Sequence, residues 1–406
     1  MVDGSTKDVE GVLDALTYAL LPVKDLVLAL GRPVTLRLDA ETSGSTASPT
    51  ATDTVTRLGL VNYVARSTGL PEFEIEGVGT GKRLELFDLL VADRIDACFK
   101  RFPNGCVSSA GLNDRANCRA PGDFTSVCTH SKITSSDDVP LNVYTVGERR
   151  KAPVVIVSAC GMPARLSERW LYALEQRHFV ATWETRWMFG GHSARDGIRT
   201  DSQAQVGDLV SVMDHLRLPR AHVMGICGGA VIALLAAATR PERVSSLSLW
   251  HGDYPLRWGC PRTTHQENLF ATLSIAAANR ETAASVRELV CDAATGTGAI
   301  SWLPRDRAHL LLYPYATPEL LYRYAQLTTA IASTNHGHLL RGLSTPSLVV
   351  TSESDQITHP AASGHVARLL KRATFHSTPN GDHISVFDAT IASTDRLKEF
   401  LNHVQS

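Results

Sequence analysis

Apolar positions along the chain keep two different periods. Over residues 9–30, Val12, Leu13, Leu16, Ala19 and Leu20 recur at helical spacing until Pro22 interrupts them. Residues 55–67 and 84–102 carry the same amphipathic pattern, and the Ser/Thr/Ala/Pro-rich stretch 42–54 reads as a loop. Residues 1–120 therefore predict a mainly helical region. From about residue 121 the rhythm becomes strand, then helix. Stretches 124–133 and 141–146 read as strands joined by the turn Ser135-Ser136-Asp137-Asp138, and the unbroken apolar run 152–159 as a central parallel strand. A helix at 167–176, a strand at 178–183 and a helix at 201–216 follow, the last with Ala204, Leu209, Val212 and Leu216 on one face. Next come a short strand ending at Met224, an alanine-rich helix at 230–240 stopped by Pro241, and a strand at 244–250. Residues 253–342 then read as helices only (264–278, 282–293, 318–331). The alternation resumes with a strand at 347–351, a helix at 361–370, a strand at 374–378 and a helix at 393–404. This order predicts the α/β class: a mostly parallel sheet covered by helices, built from 121–252 and 343–406 and interrupted by a helical insertion at 253–342.

Composition adds mainly exclusions. A chain of 406 residues suits two domains, and 44% hydrophobic with 20% charged residues describes a globular protein. A net charge of −1 without a long Lys/Arg cluster argues against nucleic acid as a partner. The start, Met1-Val2-Asp3-Gly4-Ser5, lacks a basic segment followed by an apolar one, and no apolar run approaches a bilayer's thickness. The expectation is a cytoplasmic protein with no membrane association. None of the eight cysteines (98, 106, 118, 128, 160, 227, 260, 291) forms a C-x-x-C pair, so they read as reduced thiols, with no metal or cofactor called for. The stretch Gly77-Val78-Gly79-Thr80-Gly81-Lys82-Arg83 imitates a phosphate loop but has Glu76 and Arg83 where such a loop needs Gly and Ser or Thr.

The candidate chemistry sits at Gly225-Ile226-Cys227-Gly228-Gly229, between a strand and a helix. Strand, sharp turn around a nucleophile, then helix is the G-x-S-x-G elbow of the α/β-hydrolase fold, with Cys in place of Ser. The turn brings its neighbours so close that positions two before and two after the nucleophile exclude side chains. The helix N-terminus faces the nucleophile, where free N–H groups and the dipole favour a thiolate and a developing oxyanion.

The other members of a triad fall where this topology puts them. Asp355 follows the strand after the insertion, and His383, in Asn380-Gly381-Asp382-His383, follows the last strand. Nucleophile, acid, histidine is the order for this fold, and C-terminal strand ends are where an open α/β sheet holds its chemistry. Asp253, after the preceding strand, is the alternative acid, and Asp382 reads as a turn residue. The remaining histidines have no topological claim. The oxyanion donors expected are the backbone N–H groups of Gly228 and Met162, the latter in the loop Ser158-Ala159-Cys160-Gly161-Met162-Pro163. Cys160 in that loop reads as a packing residue. Gly161, Trp183 and Arg186 are candidate substrate-binding residues. Arg186 suits a carboxylate, a phosphopantetheine phosphate or an enolate, or equally a salt bridge with Glu184. His192 and Arg195 are further candidates at the rim. The insertion 253–342 is placed to form a lid.

A thiol nucleophile gives a thioester intermediate, which stays electrophilic towards amine, alcohol or carbon nucleophiles and forms almost isoenergetically from another thioester. Taken with Ser354-Asp355, Gly381-Asp382-His383, the elbow, the helical N-terminal region and the helical insertion, the chain resembles the cysteine-dependent Dieckmann cyclases. These release polyketide–peptide chains as tetramates or pyridones in antibiotic-type biosynthesis. Polyhydroxyalkanoate synthases share G-x-C-x-G-G with Asp and His, but Gly-Asp-His here departs from their Gly-His-Ile pattern. The resemblance implies an N-(β-ketoacyl)aminoacyl substrate, delivered as a phosphopantetheine thioester by an acyl or peptidyl carrier protein and closed into a ring on Cys227. A cysteine-dependent acyltransferase or polyester synthase, a thioesterase, and a binding protein that keeps the fold without the chemistry are the other readings.

Overall fold

The computed structural model describes residues 4–37, 51–76, 84–101, 124–189, 197–297 and 303–405. The chain divides into two compact units, Met1–Ser126 with Arg287–Thr317 and Val127–Val286 with Pro318–Ser406. The insertion expected at 253–342 is therefore shared: its middle part belongs to the unit that contains the N-terminal residues.

The first unit is mainly helical. Helices Gly4–Leu20 and Lys24–Leu30 are separated by a single 3-10 turn, Leu21–Val23, at the proline that interrupts the apolar period. Val12, Leu16 and Leu20 are fully buried on one face of the first helix. Helix Ala51–Thr68 begins inside the stretch read as a loop, and Leu86–Arg101 follows the expected pattern. The two-residue strands Thr35–Leu36 and Glu74–Ile75 pair in parallel. Buried Asp88 holds this corner together, accepting from Arg32 at 2.9 and 3.1 Å, Thr35 N at 3.0 Å and Glu85 N at 3.1 Å. The rejected phosphate-loop imitation and residues 42–50 lie outside the described residues.

The second unit is built on one eight-stranded sheet. Its strands are β1 (Thr129–Thr134), β2 (Pro140–Val146), β3 (Ala152–Val157), β4 (His178–Trp183), β5 (Ala221–Ile226), β6 (Val244–Trp250), β7 (Ser347–Ser352) and β8 (Ala373–Thr378). Their order across the sheet is 1-2-4-3-5-6-7-8; β1–β2 and β2–β4 are antiparallel and all later pairs parallel. The helices are α1 (Glu168–Glu175), α2 (Ser202–His215), α3 (Gly228–Thr239), α4 (Thr264–Ala276), α5 (Pro318–Ala332), α6 (Pro360–Leu369) and α7 (Ile391–Gln405). Residues Phe124–Val127, expected as strand, form one helical turn before β1.

Buried strands explain the unbroken apolar runs. Every residue of β4, β5 and β7 is buried, so polar side chains on them need partners inside the core. His222 on β5 shows how this is met. Its Nδ1 lies 2.8 Å from Ser246 Oγ and its Nε2 2.9 Å from Ser248 Oγ, two serines on one face of β6. Burial lowers its pKa to about 3, so the ring is neutral, one nitrogen donating and the other accepting. Loss of either hydroxyl would leave a buried polar atom unpaired, at a cost of about 1–3 kcal/mol.

The helices begin where capping chemistry allows. Asp201 caps α2 through Ala204 N at 2.9 Å, and Thr263 with Gln266 forms a reciprocal capping box on α4. Helix α3, between β5 and β6 in the chain, is buried from Gly228 to Ala237, which its continuous Ala/Val/Leu/Ile sequence anticipates.

Candidate active site

The turn between β5 and α3 is held by its backbone. Cys227 N donates to Trp250 O on the neighbouring strand at 3.0 Å, and Cys227 O accepts from Ala230 N at 3.0 Å and Asp253 N at 3.2 Å. These bonds fix Cys227 at φ 53°, ψ −125°, a region that L residues rarely occupy. The flanking glycines are steric necessities. A Cβ on Gly225 would come within 2.5 Å of Ala230 Cα, and one on Gly229 would collide with the Val157 and Ser158 carbonyl oxygens.

At the ends of β7 and β8, Asp355 and His383 meet. His383 Nδ1 lies 3.0 Å from Asp355 Oδ2, and Cys227 sits against the same imidazole. Gly381, at φ 107°, and Asp382, whose side chain accepts from Ser385 N at 2.8 Å, form the turn that presents His383. Burial opposes a charge on His383. The negative charge of Cys227 and the hydrogen bond to Asp355 overcome it and raise the pKa to about 10. Asp355 is 2% exposed yet held well below the usual carboxylate range, because burial is outweighed by His251, His383 and the Thr358 N–H. Asp253, the alternative acid, accepts from Gln266 at 2.6 Å and is thereby tied to the first turn of α4.

His251 is the residue that the sequence reading misses. It directly follows β6, at the C-terminal strand end where this fold holds its chemistry, so the signal was present. Its Nδ1 lies 2.8 Å from Asp355 Oδ2, the oxygen that also serves His383, and the two rings meet edge to face at 5.7 Å. Asp355 accepts further bonds from Thr358 Oγ1, Thr358 N and Ile357 N, each at 2.8 Å. A carboxylate only accepts, so both histidines carry their proton on Nδ1. Burial, then the neighbouring His383, keeps His251 below the ordinary imidazole value despite Asp355. His251 is thus a neutral donor that shares the carboxylate with His383. These three groups converge within 4.8 Å, close enough for metal ligation, and their mutual hydrogen bonds account for the convergence.

His251→Gly, which tolerates the φ of 47° found here and has no side-chain donor, is expected to leave KM unchanged. With one donor fewer, Asp355 attracts the His383 proton more strongly, so the rate–pH profile should move to higher pH. A lowered melting temperature with an unmoved profile would reduce His251 to packing.

The sheet order, the elbow and the position of Asp355 and His383 can be set beside known proteins. No family model matches the chain. The 3-oxoadipate enol-lactonase 2 of Acinetobacter baylyi is 23% identical over 292 residues, spanning 68% of this chain and 95% of that protein. The crystal structure of a membrane phospholipase A superposes with a TM-score of 0.56 at 17% identity, over 69% of this chain and 88% of that one. The enol-lactonase from Burkholderia xenovorans gives 0.52 at 19% identity, over 67% of this chain and 100% of that one. This chain has the α/β-hydrolase fold.

Within the α/β-hydrolase fold the loop after β3 is the expected oxyanion loop. Met162 N donates to Ala159 O at 3.3 Å, inside a turn of that loop. Gly161 N donates to Thr185 Oγ1 at 2.9 Å, and a Cβ on Gly161 would stand 2.5 Å from the Tyr324 ring of α5, so this glycine packs closely against α5. Cys160 lies beside the elbow, its Cβ 3.8 Å from where a Gly228 Cβ would be. Trp183 is buried and lines a small cavity behind the loop with Cys160, Thr185 and Asp208.

Arg186 corrects the reading of the rim most clearly. It is 1% exposed and its guanidinium is fully engaged: Asp208 accepts at 2.7 and 2.8 Å, Asp137 at 2.6 and 2.8 Å, and Arg199 O at 2.7 Å. Glu184 accepts instead from Asn142 at 2.8 Å. Arg186 therefore ties the segment after β4 to α2 and the β1–β2 turn and has no donor left for substrate. Burial acts against its charge, yet the two carboxylates raise its pKa, and Asp137 falls to about 2, first through its hydrogen bond from Arg186. His192 and Arg195 lie outside the described residues. No described helix is long and apolar enough to cross a membrane.

Proposed function

We propose that this protein is a cysteine-dependent acyl-transfer enzyme that releases its product by ring closure, a Dieckmann cyclase acting on an N-(β-ketoacyl)aminoacyl thioester. The observation that carries the reading is a thiol at the elbow, against an imidazole whose pKa is raised to about 10. In this reading the sulfur attacks the thioester as a thiolate beside the His383 imidazolium, without a prior proton transfer.

In this reading Cys227 attacks the carrier thioester carbonyl. The tetrahedral oxyanion is held by the N–H groups of Gly228 and Cys160, which carry no hydrogen bond among the described residues and flank the elbow. Collapse breaks the bond to the carrier sulfur, which leaves as a thiol with the proton of His383. The neutral imidazole next removes a proton from the methylene between the two carbonyls of the β-ketoamide. That carbanion attacks the acyl–Cys227 carbonyl; a C–C bond forms, the C–S bond breaks, and thiolate and imidazolium are restored. Asp355 and His251 keep the imidazole oriented through both transfers. Intramolecular attack gains from proximity. The partner implied is an acyl or peptidyl carrier protein bearing phosphopantetheine.

The enol-lactonase similarity favours hydrolysis as a second reading, in which neutral His383 activates water against the acyl–Cys227. One measurement separates the two. An N-acetoacetyl-aminoacyl thioester of N-acetylcysteamine is incubated with the protein and the product weighed by mass spectrometry. Substrate minus the thiol is expected and means ring closure. A product one water heavier is the free acid and would replace the cyclase by a thioesterase.

A further inference from the structure

Helices α4 and α5 and the segment after β6 line a second cavity, whose walls include Asp253, Arg262, Gln266, Phe270, Leu273 and Thr328. It adjoins the elbow, since Asp253 N bonds Cys227 O at 3.2 Å and Thr328 faces the Cys160 thiol. One buried polar atom of its lining, Arg262 Nε, has no hydrogen-bond partner among the described residues. Buried donors without partners are rare in folded proteins and call for a ligand or water. Arg262 stacks over Phe270, at 4.9 Å from the ring centroid. The contrast with Arg186, saturated by two aspartates, is sharp. Stacking orients the guanidinium plane while leaving its N–H edge available, which suits a planar two-oxygen acceptor. The carboxylate in the same lining is already in use, Asp253 Oδ1 accepting from Gln266 at 2.6 Å.

We propose that this cavity recognises a carboxylate on the acyl group delivered to Cys227, with Arg262 as its specificity-determining residue. The apolar wall of Phe270 and Leu273 receives the methylenes between that carboxylate and the thioester. This rests on Cys227 being the acyl acceptor and names the acyl class. A phosphopantetheine phosphate is the wrong anion, because two amide units and their linkers separate it from the reacting sulfur, whereas this lining is bonded directly to the elbow. The acyl chain is thus an acidic one, carrying a terminal or side-chain carboxylate.

The test uses binding, so that it stands apart from cyclisation. The full chain with Cys227→Ala is titrated calorimetrically with succinyl, glutaryl and adipoyl N-acetylcysteamine thioesters and with their methyl esters. The expected result is that at least one free carboxylate binds about ten- to a hundredfold more tightly than its ester. Adding Arg262→Gln should erase that ratio while leaving ester affinity unchanged, and Arg262→Lys should restore part of it. Equal affinities for acid and ester throughout the series, absence of binding by all six probes, or a ratio that survives Arg262→Gln would overturn the proposal. A failure of ring closure in the product assay bears on the cyclase reading and leaves this ratio untouched.

Discussion

Cys227→Ala is expected to reduce thioester turnover about 10⁶-fold, the scale on which removing a triad nucleophile acts, without loss of the fold. The elbow is held by backbone bonds to Trp250, Ala230 and Asp253, none of which needs the sulfur. Intact-protein mass spectrometry should show an acyl adduct on the wild type and none on the variant; an adduct on both would remove Cys227 from the mechanism. Cys227→Ser should fold equally well and acylate slowly, because an alcohol beside His383 needs a general base where a thiolate does not. The Ala variant also reports on the imidazole. In the wild type the pKa of His383 is raised from 6.5 to about 10, so the stabilisation linked to its proton is complete below the unfolded value and disappears as pH rises through about 10. Without the Cys227 charge that raising is smaller, and the decline should begin at lower pH in melting curves taken across the alkaline range.

The second large effect falls on stability. Arg186→Met would strand Asp208, 1% exposed, without its bidentate partner, and Asp137 without its own. Severing a buried ion pair on one side costs about 3–5 kcal/mol. The expected outcome is a denaturation midpoint lowered accordingly, with most of the loss recovered in Arg186→Met/Asp208→Leu, where no buried charge remains. The deficit should shrink at low pH, where protonation removes the unpaired charge. A single variant within about 1 kcal/mol of the wild type would show that the cluster carries little of the stability.

How legible these features are in the sequence follows from the range over which each cause acts. The strands of the second unit are legible because burial on both faces writes unbroken apolar runs, as in β3 and β5, and the helices because caps and periods are local. The meeting of His383 with Asp355 is legible from topology alone: each follows a parallel strand, and parallel neighbours end side by side. His251 obeys the same rule after β6 but carries no motif. Arg186 is misread for a different reason. Its partners lie 22 and 49 residues away, and nothing nearby distinguishes them from the adjacent Glu184. The direction of the Met162 and Cys160 N–H groups depends on a loop conformation set by Thr185 and Tyr324, which no local pattern encodes. The sharing of 253–342 between two units likewise depends on tertiary contacts made by helices whose sequences look alike.

The strained backbone at residue 227 has an evolutionary side. Its φ and ψ are imposed by two glycines and three main-chain bonds, so the socket is indifferent to whether oxygen or sulfur is carried there. A lineage can exchange one chalcogen for the other by a single substitution, without repacking a neighbour. Selection on the fate of the acyl group, water or an internal carbanion, is then free to act on an unaltered scaffold.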